Sequence, residues 1–213
     1  MDSRSSYRTI GQAGLDEFVE KRSRFIGAAR PVVTEQEALA FIAEKKKEHW
    51  DATHNVYAYV LRAGGVQRYS DDGEPQGTAG VPVLQVLLKE GLTDCVVVVT
   101  RYFGGILLGG GGLVRAYSHA AKLAVDAAGI QEMRRCDVAH ITCSYAQYGW
   151  AAPLVAEYGG VLDDTRFTDE VELRFHLPQE KRESLQAQLT ERSAGALQLV
   201  VEEERYAPFL AGK

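Results

Sequence analysis

The sequence DCVVVVTRYFGGILLGGGGLVRAY, from Asp94 to Tyr117, contains the order of local structure that decides the fold. Four consecutive valines, Val96 to Val99, predict a strand that is buried on both faces. Two groups of glycines follow, and after Leu113 the apolar residues recur at helical spacing. The stretch therefore predicts a central strand, a glycine-rich loop and a helix.

The loop and the start of the helix predict an anion-binding site. The first N–H groups of a helix have no acceptor within it and lie at the positive end of its dipole. Arg101 precedes the loop and Arg115 follows it, so both would flank the bound anion. The glycines of the predicted site are Gly104, Gly105, Gly109, Gly110, Gly111 and Gly112.

Glycines at these positions also suit a purely structural role, because they permit positive φ angles and a close approach of helix and sheet. The loop contains no GxxxxGK[ST] motif, and no register of it gives GxGxxG. The loop pattern alone leaves packing and phosphate contact both open.

Other cationic and aromatic residues extend the predicted site. Alternation along a strand from Glu20 to Val32 would place Arg22 and Arg24 on one face, where a solvated strand edge also explains them. Helical spacing places Arg115, His119 and Lys122 on one polar side. Tyr102 and Phe103 could stack on bases.

The segment SDDGEPQGTAGVP, Ser70 to Pro82, is rich in turn residues and carries Asp71, Asp72 and Glu74. Three carboxylates could hold a divalent cation through oxygen ligands. Asp-Asp-Gly is also common turn chemistry, and the spacing lacks the ligand pattern of an EF-hand. We favour the turn, and we expect neither a metal nor another cofactor.

Charge is distributed unevenly along the chain. Residues 1–135 carry 17 Lys and Arg against 16 Asp and Glu, whereas residues 136–213 carry 7 against 13. We therefore expect two domains, 1–135 and 136–213. In the second, the pattern of strand, helix, two strands, helix and strand, from a strand at Val138–Tyr145 to one at Ala196–Glu202, is that of the ferredoxin-like βαββαβ motif. The predicted fold class is α+β.

Composition narrows the class of protein. The net charge of −5 argues against a generally adhesive nucleic-acid binder. Cys95, Cys136 and Cys143 show no CxxC pairing, and no apolar run is long enough to span a bilayer. The first residues lack the apolar core of a secretory signal. We expect a cytoplasmic monomer without a membrane partner.

Four segments together resemble the IMPACT family: EKRSRFIG from Glu20, THNVYAY from Thr53, SDDGEPQGTAGVPVL from Ser70, and VVVTRYFGGILLGGGGLVRAYSHA from Val97. The acidic second module resembles that of the two-domain bacterial branch, called YigZ-like. The resemblance implies an N-terminal domain similar to domain IV of elongation factor G, with a left-handed β-α-β crossover. It implies a C-terminal domain similar to the ferredoxin-like domains of that factor.

The resemblance also bears on function. Eukaryotic relatives restrain the amino-acid-sensing kinase of translation initiation by competing for its activator, and the fold of bacterial members implies nucleic-acid or ribosome binding. Many relatives carry a lysine at the position of Val81 or of Leu107. This chain therefore lacks a cation that those relatives have near the predicted site.

We therefore expect a non-enzymatic regulatory protein that binds RNA or the ribosome. Two alternatives stay open. The chain could regulate translation or a stress response through a protein partner bound by its acidic C-terminal domain. It could also be an enzyme that acts on a phosphorylated small molecule, with Asp71, Asp72 or Glu74 holding magnesium.

Overall fold

The computed structural model describes residues 6–209, which form a mixed α and β fold, and the predicted fold class is confirmed at this level. The elements of the first half are β1 (Ser6–Ile10), β2 (Gly14–Glu20), β3 (Ser23–Pro31), α1 (Glu35–Glu48), β4 (His54–Leu61), β5 (Val66–Ser70), α2 (Gly80–Lys89), β6 (Cys95–Tyr102) and α3 (Gly110–Ala128). Those of the second half are β7 (Ile130–Cys143), α4 (Tyr145–Glu157), β8 (Val161–Phe167), β9 (Val171–Pro178), α5 (Arg182–Ser193) and β10 (Val200–Phe209). No helix within this part of the chain has the length and apolar composition that a membrane span requires.

The packing of Cα atoms divides the chain into two units, one comprising Tyr7–Glu132 and the other the described chain from Met133 onward together with Ser6. The chain passes from one to the other within β7. The expected domain boundary after Arg135 therefore lies inside a strand, because β7 begins at Ile130 and not near Val138.

The valine strand β6 is the middle strand of the first unit. The sheet has the order β2-β3-β6-β4-β5, and each neighbouring pair is antiparallel. Val97 and Val99 pack in one core cluster with residues of α2 and α3, and Val96 and Val98 pack in another with α1. All four valines are fully buried, which confirms the prediction of a strand covered on both faces.

Helix α3 lies close to the sheet because small residues face each other. A Cβ atom at Gly27 in β3 would lie 2.3 Å from the carbonyl oxygen of Ala120, so only glycine fits there. Ala116 and Ala124 keep the same helical face small and buried. This contact fixes the axis of α3, and with it the position of the glycine turn at its start.

A hairpin turn replaces the continuous strand that alternation predicted around Arg22. The pair Glu20↔Ser23 closes a two-residue loop, and its residues Lys21 and Arg22 have φ angles of 45° and 66°. Two positive φ angles are the mark of a type I′ turn, which usually takes Asn or Gly. Because Lys21 and Arg22 are neither Asn nor Gly, the sequence pattern did not indicate a turn at this position. Arg22 and Arg24 consequently do not share a strand face.

The second unit has the predicted order of strand, helix, two strands, helix and strand. Strand β9 lies between β7 and β8, and β10 also pairs with β7. The last strand begins at Val200 and not at Ala196 as expected. The reason is local, because the N–H groups of Leu197 and Leu199 donate to the side chains of Ser193 and Gln186 at 2.9 and 2.7 Å. The likeness to elongation factor G stays a prediction.

The three cysteines are buried and form no disulfide. Burial raises the pKa of the Cys95 thiol to about 12, so this group stays protonated and unreactive at neutral pH.

Replacing Gly27 with alanine tests the contact between β3 and α3. We expect Gly27→Ala to lower the free energy of unfolding by about 2 kcal/mol or more, because the added methyl would meet the backbone of Ala120. Gly149→Ala in α4 is the matched control, since nothing lies within 4 Å of its added Cβ. It should stabilise α4 by up to about 1 kcal/mol. Urea unfolding measures both, and equal effects would contradict the close approach.

Candidate anion-binding site

The glycine-rich loop exposes the first amides of α3. Gly105 and Gly109 have φ angles of 81° and 72°, so the backbone there adopts the left-handed region. Gly109 is the N-cap residue, and its carbonyl oxygen accepts from Leu113 N at 2.9 Å. Within residues 6–209, the N–H groups of Gly110, Gly111 and Gly112 have no hydrogen-bond acceptor. Three donors therefore point outward at the positive end of a 19-residue helix.

Gly104 has a different role, because it makes room for the β2–β3 turn. A Cβ atom there would lie 2.0 Å from the backbone carbon of Arg22. The Gly104 N–H donates to Ser23 Oγ at 3.2 Å. This glycine therefore joins the turn to the loop and contributes no amide to an anion site.

A groove of about 230 Å³ runs beside the first turns of α3, and we call it the cationic groove. Its lining includes Lys21, Gly112, Arg115 and His119. The Arg115 Nη1 atom lies 3.7 Å from the position of a Cβ on Gly111, so its guanidinium lies over the first helical turn. The described residues supply no ion-pair partner to Lys21 or Arg115. The remaining lining residues are Phe18, Glu20, Leu108 and Ala116.

Arg101 does not flank the predicted anion, which corrects the sequence interpretation. Its Nη1 donates to Glu74 Oε1 at 2.6 Å, and the two side chains are only 6% and 4% exposed. The guanidinium lies 5.4 Å from the Phe25 ring centroid and 5.3 Å from that of Phe103. The charge of Arg101 is thus neutralised inside the protein.

Glu74 is the centre of a buried polar cluster, the Glu74 cluster, that consists of His54, Glu74, Arg101 and Tyr117. The Tyr117 hydroxyl donates to Glu74 Oε1 at 2.7 Å, and His54 Nε2 lies 3.8 Å from the same oxygen. His54 Nδ1 lies 2.7 Å from the Asp72 carbonyl oxygen, which can only accept, so Nδ1 carries a proton. Burial and then the hydrogen bond to Glu74 raise the pKa of Tyr117.

The other carboxylates of the acidic loop are used by the protein itself. Asp71 accepts from the N–H groups of Gly77, Ala79 and Gly80 at 2.8, 3.1 and 2.8 Å, and so caps α2. Asp72 accepts from Lys46 at 2.6 Å and from the Asn55 N–H at 2.7 Å. The described part of the chain holds no cluster of three potential metal ligands. The acidic loop is therefore a turn whose three carboxylates, on Asp71, Asp72 and Glu74, are hydrogen-bonded to groups of the protein itself.

A second cavity, the loop cavity, has a volume of about 410 Å³ and opens beside the glycine loop. Members of the Glu74 cluster form one wall, namely His54, Glu74 and Arg101. Apolar side chains and the helix start form the rest, namely Phe103, Leu107, Leu108, Leu113, Gly109 and Gly110, with Thr53, Gly73 and Pro75. Leu107 is 82% exposed.

Two further predicted cations, Arg24 and Lys122, are already paired. Arg24 contacts Glu17 at 2.6 Å, and this hydrogen bond raises its pKa. Lys122 contacts the carboxylates of Asp126 and, at 3.3 Å, Glu90, and its pKa is likewise raised. With Arg101, the sequence prediction thus included three cations whose charge is balanced by nearby carboxylates.

Two further residues of the predicted site, Arg22 and Tyr102, differ in whether the protein already binds their polar groups. Arg22 is exposed on the β2–β3 turn, without an ion-pair partner among residues 6–209. The Tyr102 hydroxyl donates to Asp51 at 3.1 Å and lies 3.0 Å from His49 Nδ1, so it is held at the end of α1. Arg22 is therefore available to a ligand, whereas the Tyr102 hydroxyl is already hydrogen-bonded within the protein.

Sequence reasoning missed Lys21, His54 and Tyr117. Lys21 enters the groove only because the turn and the strand register bring it beside α3. The sequence places His54 at the start of a strand and Tyr117 in the helix after the glycine-rich loop, and neither pattern assigns them to a site. The signal for both was a polar tip on a buried position, which requires a partner.

Comparisons with known proteins agree along most of the chain. Residues 21–125 match the family described as the Impact N-terminal domain, and residues 141–196 match the Domain of unknown function (DUF1949). The first match includes all of the Glu74 cluster and Lys21, Arg115 and His119.

Two relatives match over nearly their whole length. The IMPACT family member YvyE of Bacillus subtilis (strain 168) is 40% identical over 191 residues, which cover 89% of this chain and 88% of that protein. The IMPACT family member YigZ of Escherichia coli (strain K12) is 36% identical over 187 residues, which cover 86% and 92%. A crystal structure described as that of a hypothetical protein aligns with a TM-score of 0.60 at 34% identity and covers 95% of this chain and 100% of that chain.

Removing one partner of the Glu74–Arg101 pair tests whether the cluster is held by charge. We expect Glu74→Leu to lower the free energy of unfolding by about 3–5 kcal/mol, because Arg101 would stay buried without a counter-charge. The double variant Glu74→Leu with Arg101→Leu should lose markedly less than the sum of the two single variants. Urea unfolding of the four proteins gives the coupling, and strictly additive losses would show that the pair is not coupled.

Proposed function

Because this chain belongs to the IMPACT family, which implies a regulatory role connected with translation, we propose that it acts by binding RNA, alone or within the ribosome, through the cationic groove. One observation carries the proposal: three helix amides without acceptors lie beside two cations without ion-pair partners, Lys21 and Arg115, in the part of the chain that the structure describes. Phosphate is the kind of ligand that helix-terminal amides, lysine and arginine bind.

The chemistry favours contact with the phosphate backbone over reading of the sequence. Backbone N–H groups, arginine and lysine hydrogen-bond to phosphate oxygens, and such contacts position a protein without specifying bases. Arg22, exposed on the turn that contains Lys21, extends the positive surface. The proposed interaction is therefore sequence-tolerant and weakens with salt.

Charge distribution limits where RNA can lie. The first 135 residues carry a net charge of about +1 and the rest about −6. Repulsion from the acidic second unit would disfavour broad contact with a polyanion. The cationic groove is then a small positive site in an acidic protein, which suits regulated contact with one RNA segment.

A second candidate is a regulator that binds a protein partner through the C-terminal unit. Tyr145 and Phe167 stack there with ring centroids 6.2 Å apart, yet are 57% and 56% exposed. Paired exposed aromatics of this kind are typical of protein interfaces. The enzyme alternative has less support, since the carboxylates that would hold magnesium are bonded to the protein.

Removing the two groove cations tests the proposal directly. We expect Lys21→Ala with Arg115→Ala to weaken binding of a fluorescein-labelled single-stranded RNA, because two phosphate contacts are lost. The slope of log K against log salt is negative, and its magnitude should fall by about 1.4, since each contact to a single strand contributes about 0.7. Fluorescence anisotropy over a series of potassium chloride concentrations measures both quantities.

The matched control is Arg24→Ala with Lys122→Ala, which removes the same number of cations from the same unit. Both of these side chains are already paired with carboxylates, so their loss should change the slope much less. A wild-type chain that binds no RNA at low salt, or equal slopes for the two double variants, would overturn the proposal.

A further inference from the structure

We propose that the anion site is one end of a nucleotide site, in which the loop cavity receives the base of an unpaired nucleotide. The inference rests on the proposed function, because the phosphate would be the one held at the start of α3. It goes further by specifying an unstacked base and the residues that contact it.

The start of α3 contributes to the lining of both the cationic groove and the loop cavity. Gly110 lines the loop cavity, Gly112 lines the cationic groove, and Leu108 lines both. A phosphate on the amides of Gly110 to Gly112 is therefore adjacent to the mouth of the loop cavity. A nucleotide joins its phosphate to its base through one sugar, so a single residue of RNA can occupy both places.

The apolar wall suits a flat ring. Phe103 is 45% exposed and Leu107 is 82% exposed, and both line the loop cavity together with Leu108 and Leu113. Exposed aromatic and aliphatic side chains at a concave surface are what unstacked bases contact in single-stranded RNA complexes. The cavity volume of about 410 Å³ also falls in the range of small-ligand pockets.

The polar wall excludes a second anion. Arg101 neutralises Glu74 there, and a further carboxylate or phosphate would meet the Glu74 oxygens without an added cation. His54 and the Thr53 hydroxyl add hydrogen-bonding groups. The part of the ligand that meets these residues must then be neutral and must offer donors and acceptors, as the edge of a nucleobase does.

Arg101 supplies independent evidence for a ligand. Its side chain is only 6% exposed, it lines the loop cavity, and its Nε–H has no acceptor among the described residues. Buried donors without acceptors are rare in native proteins. An acceptor on a bound base, with a small shift of the guanidinium, would satisfy this donor.

Binding of small probes to the full chain tests the base contact. Isothermal titration calorimetry would compare AMP, GMP, CMP and UMP with ribose 5-phosphate, which has the phosphate and no base. We expect at least one nucleotide to bind about tenfold more tightly than ribose 5-phosphate, which is within the contribution of base stacking on an aromatic side chain. Ribose 5-phosphate should still bind through the helix amides.

Two variants and one control locate the base. Phe103→Ala and Leu107→Ala should each lower nucleotide affinity, by about tenfold for Phe103→Ala, and leave ribose 5-phosphate affinity unchanged. Leu107 is so exposed that its loss should not affect folding. Trp50→Ala is the control, because Trp50 is also 82% exposed but does not line the cavity. It should bind nucleotides as the wild type does.

The outcomes separate this inference from the proposed function. Equal binding of nucleotides and ribose 5-phosphate, or unchanged nucleotide affinity in both variants, would overturn the base site. Salt-dependent RNA binding by the same protein would then leave the proposed function intact. If RNA, nucleotides and ribose 5-phosphate all fail to bind, both proposals are wrong.

Discussion

The ion pair between Glu74 and Arg101 is the interaction on which the candidate site depends. It joins the acidic loop to the end of the central strand, where the chain enters the glycine-rich loop. Two charges that are almost completely buried must stay together, because separating them would leave an uncompensated charge inside the protein. The hydroxyl of Tyr117 on α3 bonds to the same carboxylate oxygen. The Glu74 carboxylate thus joins the end of β6, the acidic loop and α3.

This arrangement decides which groups can meet a ligand. Arg101 is the cation nearest to the loop in the chain, yet its charge is used internally. The outward-facing donors are backbone amides of Gly110 to Gly112, and the accessible cations come from a hairpin turn and the second turn of α3. Backbone amides have fixed directions, so they fit a phosphate without the side-chain entropy that lysines would lose. Rigid placement of α3 by Gly27 and Ala120 makes these directions reproducible.

Local patterns predicted the elements well but not the partners of charged residues. Four valines predicted the buried strand, and the apolar spacing after Leu113 predicted α3, and the structure contains both elements. The turn at Lys21 and Arg22 escaped because neither residue is a usual type I′ residue. Glu74 and Arg101 are 27 residues apart, and their pairing follows from sheet register and loop packing that no local pattern encodes. Site residues therefore emerged only from tertiary contacts.

The most direct test of a phosphate site at the start of α3 is the ¹H–¹⁵N NMR spectrum of the full chain during titration with a short single-stranded RNA. Amide protons that donate to phosphate move downfield. The structure predicts that the largest downfield shifts occur at Gly110, Gly111 and Gly112, whose N–H groups have no acceptor within residues 6–209. Unmoved signals at these three glycines, with saturating shifts elsewhere on the chain, would contradict the account.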